Sequence, residues 1–341
     1  MDAPTLTDST QSGAIDTTPS AGPKAPLSLR LNAVTYEAED ILGFEFVHPT
    51  GAPLPAYTAG AHVDVQIADG LIRQYSLAGD PADRGRYLIA VLNDPASRGG
   101  SRAMHETLRP GQLVKVSEPR NLFPLAADAE RHMLLAGGIG VTPMMAIIEE
   151  LERRSADWEL HYCTRAPEKT AFASRLAPHV AAGRAHIHHD GGDPAKGLDI
   201  KGLLKSPAPG THLYYCGPTG FMTAVAEAAA AWPDGTVHFE YFAAPVGDKP
   251  DAGDNQAFQI QIRRTGEILE VPADKTIVDV LRNAGHYIDT SCEDGFCGTC
   301  LTPFSGGEPD HRDTVLDDAD RKRYVLICCS RAKTSPLILD L

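Results

Sequence analysis

Between about residues 27 and 125 the chain alternates apolar and polar positions over short distances. Leu27-Ser28-Leu29-Arg30-Leu31 and His62-Val63-Asp64-Val65-Gln66-Ile67 each place every second side chain on one face. That is the two-residue period of a half-buried strand. Tyr87-Leu88-Ile89-Ala90-Val91-Leu92 is more continuously apolar, while Ala68-Asp69-Gly70 and Arg109-Pro110-Gly111 are turn signals. Many short strands with frequent turns predict an antiparallel barrel or sandwich.

The pattern changes near residue 130. His132-Met133-Leu134-Leu135-Ala136 reads as a buried strand, followed by a glycine-rich turn and a helix running through Ile147-Ile148-Glu149-Glu150-Leu151. Further strands are expected at Leu160–Cys163, Ala185–His189, Leu213–Cys216 and Val237–Phe242, with an alanine-rich helix over 219–231. Strands that alternate with helices predict a parallel five-stranded α/β sheet. Residues 244–256 carry two Pro, two Gly and three Asp, a linker composition. Beyond them Phe258–Ile262 alternates as a strand, Thr276–Asn283 reads as a short helix and Pro336–Leu339 closes as a strand. Residues 1–26, rich in Ser, Thr, Pro, Ala and Gly, lack the apolar side chains to offset ordering entropy and are expected to be a disordered tail.

At 341 residues the chain fits two or three domains. Its net charge of −14 excludes nucleic acid as a natural partner, because phosphates would be repelled. No apolar run reaches the roughly 20 residues that span a bilayer, and no secretory signal is visible, so a cytoplasmic protein without a membrane partner is expected.

Five of the seven cysteines fall between 292 and 329. Cys292-x4-Cys297-x2-Cys300, with Cys328 far downstream, has the spacing of a plant-type [2Fe–2S] site. Soft thiolates suit iron and sulfide, and Gly295 and Gly298 allow the loop to fold closely around a cluster. A structural zinc site also takes four cysteines, but its ligands usually come as two compact C-x2-C pairs. Val325-Leu326-Ile327-Cys328, followed by Cys329-Ser330-Arg331, resembles the ferredoxin ending in which an apolar strand delivers the ligand, so Cys328 is the expected fourth ligand and Cys329 a small residue on the other face.

Arg73-Gln74-Tyr75-Ser76 offers a guanidinium for a phosphate, an aromatic face for a ring and a hydroxyl for a ring nitrogen. Arg98-Gly99-Gly100-Ser101 adds backbone donors and a second hydroxyl. Gly137-Gly138-Ile139-Gly140-Val141-Thr142-Pro143 follows a buried strand and opens a helix, a place where backbone can approach a pyrophosphate. Cys216-Gly217-Pro218 lies at another strand end, on the sheet edge where α/β proteins bind ligands. Asp190 ends a strand and suits a ribose hydroxyl, whereas Arg165 suits a 2′-phosphate.

Together these motifs resemble the ferredoxin-NADP reductase superfamily and, more closely, the phthalate dioxygenase reductase family, from about residue 27 to 341. The resemblance implies a multidomain β + α/β + α+β chain: an antiparallel flavin-binding β-barrel (27–125), a parallel nucleotide-binding α/β domain (126–243), a linker (244–256) and a C-terminal β-grasp ferredoxin domain (257–341). It implies FMN held by Arg73, Gln74, Tyr75 and Ser76, by Ala90-Val91-Leu92 and by Gly99-Gly100-Ser101, with Thr142 and the aromatic end Tyr241-Phe242 approaching the flavin. NADH would sit on Gly137, Gly138, Gly140 and Pro143 and on Cys216, Gly217 and Pro218. Ser76 leads the candidate catalytic residues, with Cys216 and Glu240 beside it. The implied role is a reductase that moves electrons from NADH through FMN and [2Fe–2S] to a terminal oxygenase or O-demethylase of Rieske type, active in aromatic catabolism. A cytochrome P450 as acceptor, or a plain ferredoxin-like carrier or redox sensor, are the other readings.

Overall fold

The structure is a computed structural model, described over residues 25–95, 99–242, 255–288, 290, 292–295, 298–313, 316 and 318–341. The expected tail and linker fall almost wholly outside these residues, as do Arg98 and Cys297.

Alternation in the first third becomes an antiparallel sheet of β1 (Leu27–Ala38), β2 (Ile41–Val47), β3 (Ala61–Ala68), β4 (Leu71–Ser76), β5 (Arg86–Leu92), β6 (Leu113–Val116) and β7 (Arg120–Asn121). Its order is β4-β3-β6-β1-β2-β5, with β7 paired to β3. Leu29, Leu31, Val63 and Val65 are fully buried, while Arg30, Asp64 and Gln66 are not, so the two-residue period has its physical cause. Each such aliphatic side chain contributes about 1.5–3 kcal/mol of burial. A helix that alternation does not announce, α1 (Gly100–Thr107), follows β5; Gly99 precedes it with φ +87, and Met104 plugs it into the core.

The middle third is a parallel sheet, β8 (Arg131–Gly137), β9 (Asp157–Thr164), β10 (Ala185–His189), β11 (Thr211–Cys216) and β12 (Val237–Glu240), in the order β10-β9-β8-β11-β12. The last strand stops at Glu240, two residues short of the expectation. Helices α2 (Val141–Arg153), α3 (Ala173–Ala181), α4 (Ile200–Leu204) and α5 (Thr219–Ala228) link the strands. One apolar cluster runs across the domain border, joining Ile41, Ala78 and Ala90 of the first sheet region to Val141, Met144 and Leu160 of the second. Polar contacts follow the same border: Arg175 donates to the Ala78 carbonyl at 2.9 Å, and Lys169 pairs with Asp40 at 2.6 Å.

The C-terminal part is a mixed sheet of β13 (Phe258–Ile262), β14 (Ile268–Val271), β15 (Leu301–Gly306), β17 (Tyr324–Leu326) and β19 (Leu337–Leu339), ordered β14-β13-β19-β15-β17. The short strands β16 (Pro309–Asp310) and β18 (Arg331–Ala332) pair beside it. Helix α6 (Ile277–Asn283) buries Ile277, Val278 and Leu281 against this sheet. A capping box fixes its start: the Asp279 amide donates to Thr276 Oγ1, and the Thr276 amide donates back to Asp279. Among the described residues no helix is long and apolar enough to cross a membrane.

Candidate redox site

Strand β4 carries Arg73, Gln74, Tyr75 and Ser76 to the border between the first two sheets. There Ser76 Oγ donates to Glu240 Oε2 at 2.8 Å, across 164 residues of sequence. Ser76 is 5% exposed, so this bond is made away from bulk water. His62 faces Ser76 in the β3–β4 register, and its Nδ1 lies 3.7 Å from Glu240 Oε1. The ring is 1% exposed, and neither of its nitrogens makes a hydrogen bond among the described residues. The sequence points to Ser76 and Glu240 but not to His62, whose only signal is a polar position in an alternating strand.

The two glycine-bearing turns lie against each other. A Cβ on Gly140 would sit 2.2 Å from the Cys216 carbonyl oxygen, and one on Gly137 would sit 2.9 Å from Pro218 Cδ. A Cβ on Gly217 would come within 3.1 Å of Gly137 Cα. Only glycine lets strand ends β8 and β11 approach this closely, and Gly138 adds a φ of +53. A 3-10 turn over Gly138–Gly140 leads into α2, where buried Thr142 donates its hydroxyl to the Ile139 carbonyl at 2.9 Å and Pro143 packs behind it. Ile139 joins Ala90 and Leu92 in one apolar cluster, which brings β5 to the same turn; Val91, next in the strand, turns into the core of the first sheet. Cys216 is fully buried, and burial, with the Glu240 carboxylate beside it, pushes its thiol pKa well up.

Gly100 rests against Arg73: a Cβ there would meet the Arg73 side chain at 2.6 Å. The Ser101 hydroxyl accepts from the Asp94 amide at 3.2 Å. The Arg73-Gln74-Tyr75-Ser76 strand and the Gly99-Gly100-Ser101 turn therefore lie side by side. Arg165 and Asp190 follow the neighbouring strands β9 and β10 at the same edge of the parallel sheet; Arg165 is exposed, and Asp190 Oδ1 accepts from the Gly192 amide at 2.7 Å. Phe242, just past β12, is 39% exposed.

At the far end, the Cys328 thiol is within hydrogen-bonding reach of Cys292 and Cys300, which push its pKa far up. Cys297 lies outside the described residues. The Asp294 amide donates to Cys292 Sγ at 3.4 Å. Three converging soft donors and a backbone N–H aimed at sulfur fit an iron–sulfur cluster. Cys329 departs from expectation. Its thiol also reaches Cys328, and a Cβ on Gly295 would lie 2.5 Å from Cys329 Sγ, so it faces the same loop. The reason is local: β17 ends at Leu326, and in the turn that follows side chains no longer alternate between faces. A cleft of about 650 Å³ separates this end from the first sheet, with Gln66, Ile72 and Arg73 on one wall and Arg282, Tyr287 and Cys292 on the other.

Comparison with known proteins places this geometry. Residues 260–333 match the family described as 2Fe-2S iron-sulfur cluster binding domain. The chain is 49% identical, over 94% of its length and 97% of the relative's, to a tert-butanol monooxygenase / tert-amyl alcohol desaturase reductase subunit from Aquincola tertiaricarbonis. It is 48% identical, over 91% of its length and 98% of the relative's, to a vanillate O-demethylase oxidoreductase from Pseudomonas sp. (strain HR199 / DSM 7063). The solved structure of phthalate dioxygenase reductase, titled a modular structure for electron transfer from pyridine nucleotides to [2Fe–2S], aligns with a TM-score of 0.69 and 41% identity, covering 93% of this chain and 98% of that one. The chain belongs to the phthalate dioxygenase reductase family. As a member of that family it is an electron-transfer oxidoreductase with a C-terminal 2Fe-2S cluster-binding domain. An intact type IV self-sufficient cytochrome P450 monooxygenase also aligns, with a TM-score of 0.85 and 37% identity over 93% of this chain, which spans 41% of that protein.

Proposed function

We propose that this phthalate dioxygenase reductase homologue takes a hydride from NADH, passes electrons through FMN to [2Fe–2S] and delivers them singly to a Rieske-type terminal oxygenase. Bound FMN supplies the conversion from paired to single electrons, and the cluster carries the single electrons outward. The first sheet is then the flavin-binding barrel, with the 2.8 Å bond from the Ala78 amide to the Leu88 carbonyl at its seam. The C-terminal sheet is the β-grasp ferredoxin domain, and 27–125, 126–243 and 257–341 are the functional units.

The observation that carries this reading is the Ser76–Glu240 hydrogen bond, which ties the end of the flavin motif to the strand beside the glycine turns. Ser76 and Glu240 orient the ring edge and hold a proton between Oγ and Oε2. Arg73 with Gly99, Gly100 and Ser101 receives the phosphate; Tyr75, Ala90, Leu92 and Thr142 line the ring, Val91 meets it through its backbone alone, and Phe242 covers it. Gly137, Gly138, Gly140, Pro143, Cys216, Gly217 and Pro218 seat the dinucleotide. Asp190 accepts from its ribose, which favours NADH over NADPH despite Arg165. Cys292, Cys297, Cys300 and Cys328 ligate the cluster.

An anaerobic visible spectrum of the purified protein, before and after NADH and separately NADPH, tests this. Flavin and cluster bands that bleach quickly with NADH agree with it. Flavin bands without cluster absorption, or no bleaching with either nucleotide, overturn it. The alignment with the self-sufficient P450 favours a haem monooxygenase as the second candidate acceptor, and reconstitution with each class of oxygenase separates the two.

A further inference from the structure

The seam between the first sheet and the cysteine loop holds a contact that the reading above leaves unused. Strand β7 is only two residues long, yet it is firmly seated. Its Asn121 Nδ2 donates to Thr58 Oγ1 at 2.7 Å and to the Ala59 carbonyl at 2.8 Å, and its Oδ1 accepts from the Phe123 amide at 2.8 Å. Phe123 in turn is buried in the apolar cluster shared by the first two domains. From this platform Arg120 Nη2 donates to Asp64 Oδ2 at 2.6 Å and to Thr299 Oγ1 at 3.2 Å. Thr299 immediately precedes Cys300, which is 4% exposed and in reach of Cys328. Two residues after Arg120, Leu122 closes on the same loop: a Cβ on Gly298 would lie 2.8 Å from Leu122 Cδ1. Gly298 also has φ +70, so this one position needs glycine for both backbone and space.

We propose that Arg120 is a positioning residue that latches the cluster loop to the first sheet and thereby sets the rate of the flavin-to-cluster step. The proposal rests on the electron path given above. Asp64, 12% exposed, aims and neutralises the guanidinium, and the same Nη2 that donates to it also donates to Thr299. Leu122 supplies the apolar half of the grip. Single-electron transfer between fixed centres falls steeply with their separation, so a loop that swings away from the sheet slows it. For each NADH oxidised to NAD⁺ with release of one proton, two electrons cross this seam singly, and two molecules of ferricytochrome c take them up.

The test uses the full-length holoprotein and two variants. Thr299→Val removes the acceptor oxygen while keeping the shape; Arg120→Ala is combined with Asp64→Asn so that no carboxylate is left stranded. Hydrogen–deuterium exchange over 298–304, measured without nucleotide, is expected to rise about tenfold, equivalent to about 1.4 kcal/mol for one charge-assisted hydrogen bond. After mixing with NADH, flavin bleaching should keep its rate and cluster bleaching should slow, and joining all three substitutions should add little. Unchanged exchange and unchanged cluster bleaching in both variants would overturn the latch. Failure of the wild-type flavin to bleach with NADH would instead overturn the electron path, and the exchange measurement would still decide the contact.

Discussion

Replacing Gly140 by alanine isolates the close approach of the two glycine turns. Gly140 has φ −62 and ψ −4, an ordinary helical conformation, so alanine meets no backbone strain there. The new methyl would instead lie 2.2 Å from the Cys216 carbonyl oxygen, 2.4 Å from its carbon and 2.7 Å from the Gly217 nitrogen. Relieving those contacts requires a separation of about 1 Å, since non-bonded carbon contacts settle near 3.5–4.0 Å. Cys216 cannot yield easily, because β11 is hydrogen-bonded in register to β8 on one side and β12 on the other. Overpacking of this kind costs about 1–3 kcal/mol, and the stiffer unfolded chain returns about 0.4–1 kcal/mol. A net loss of about 1–2 kcal/mol is expected, together with a higher KM for NADH as the turns part. Gly138→Ala is the control: nothing lies within 4 Å of its Cβ, and its φ of +53 costs only about 1 kcal/mol of strain. Urea midpoints and NADH kinetics of both variants decide the matter. If Gly140→Ala is no less stable than Gly138→Ala and leaves KM unaltered, the steric reasoning is wrong.

Ser76→Ala removes the bond to Glu240 and should slow NADH-driven reduction of ferricyanide about tenfold, the worth of one hydrogen bond made in the transition state; an unaltered rate would take Ser76 out of the reaction. Cys328→Ala should lose cluster absorption and bound iron whereas Cys329→Ala keeps both, and the opposite spectra would exchange their roles. Acid should weaken the parallel sheet through His238, whose pKa is pushed down to about 4 by burial and then by His212. The unfolded ring titrates near 6.5 and binds the proton first, so stability is full above about pH 6.5 and drains away as pH falls toward 4. Partial exposure limits the effect to about 1–2 kcal/mol. Urea midpoints at pH 8 and pH 4.5 should differ less in His238→Gln than in the wild type, and equal differences would refute the assignment.

Local chemistry made much of this legible. Leu29, Leu31, Val63 and Val65 announce their strands because one face of the sheet is buried and the other is not. The cysteine spacing announces a cluster because three ligands must share one short loop. Helix α1 stayed hidden because it opens on Gly99-Gly100, poor helix formers that read as a turn, while its inward side chain is Met104. Cys329 escapes the pattern because strand alternation ends at Leu326 and gives way to a turn. His62 and Arg120 could not be singled out, since each owes its importance to residues far along the chain: Glu240 for one and Thr299 for the other. Long-range partners leave no mark on the local pattern.

Those two residues also explain how the first sheet meets both of its neighbours from one strand. His62 and Asp64 lie two positions apart on β3, and so on the same face, about 7 Å apart along the strand. His62 looks toward Ser76 and Glu240, where the parallel sheet arrives; Asp64 holds Arg120, where the cysteine loop arrives. One pleated strand thus spaces both neighbours, with Val63 and Val65 locking its opposite face into a fully buried core. A strand cannot slip by one residue without turning that core face outward. The separation between the Ser76–Glu240 contact and the Arg120–Thr299 contact is therefore held by the same apolar packing that holds the sheet.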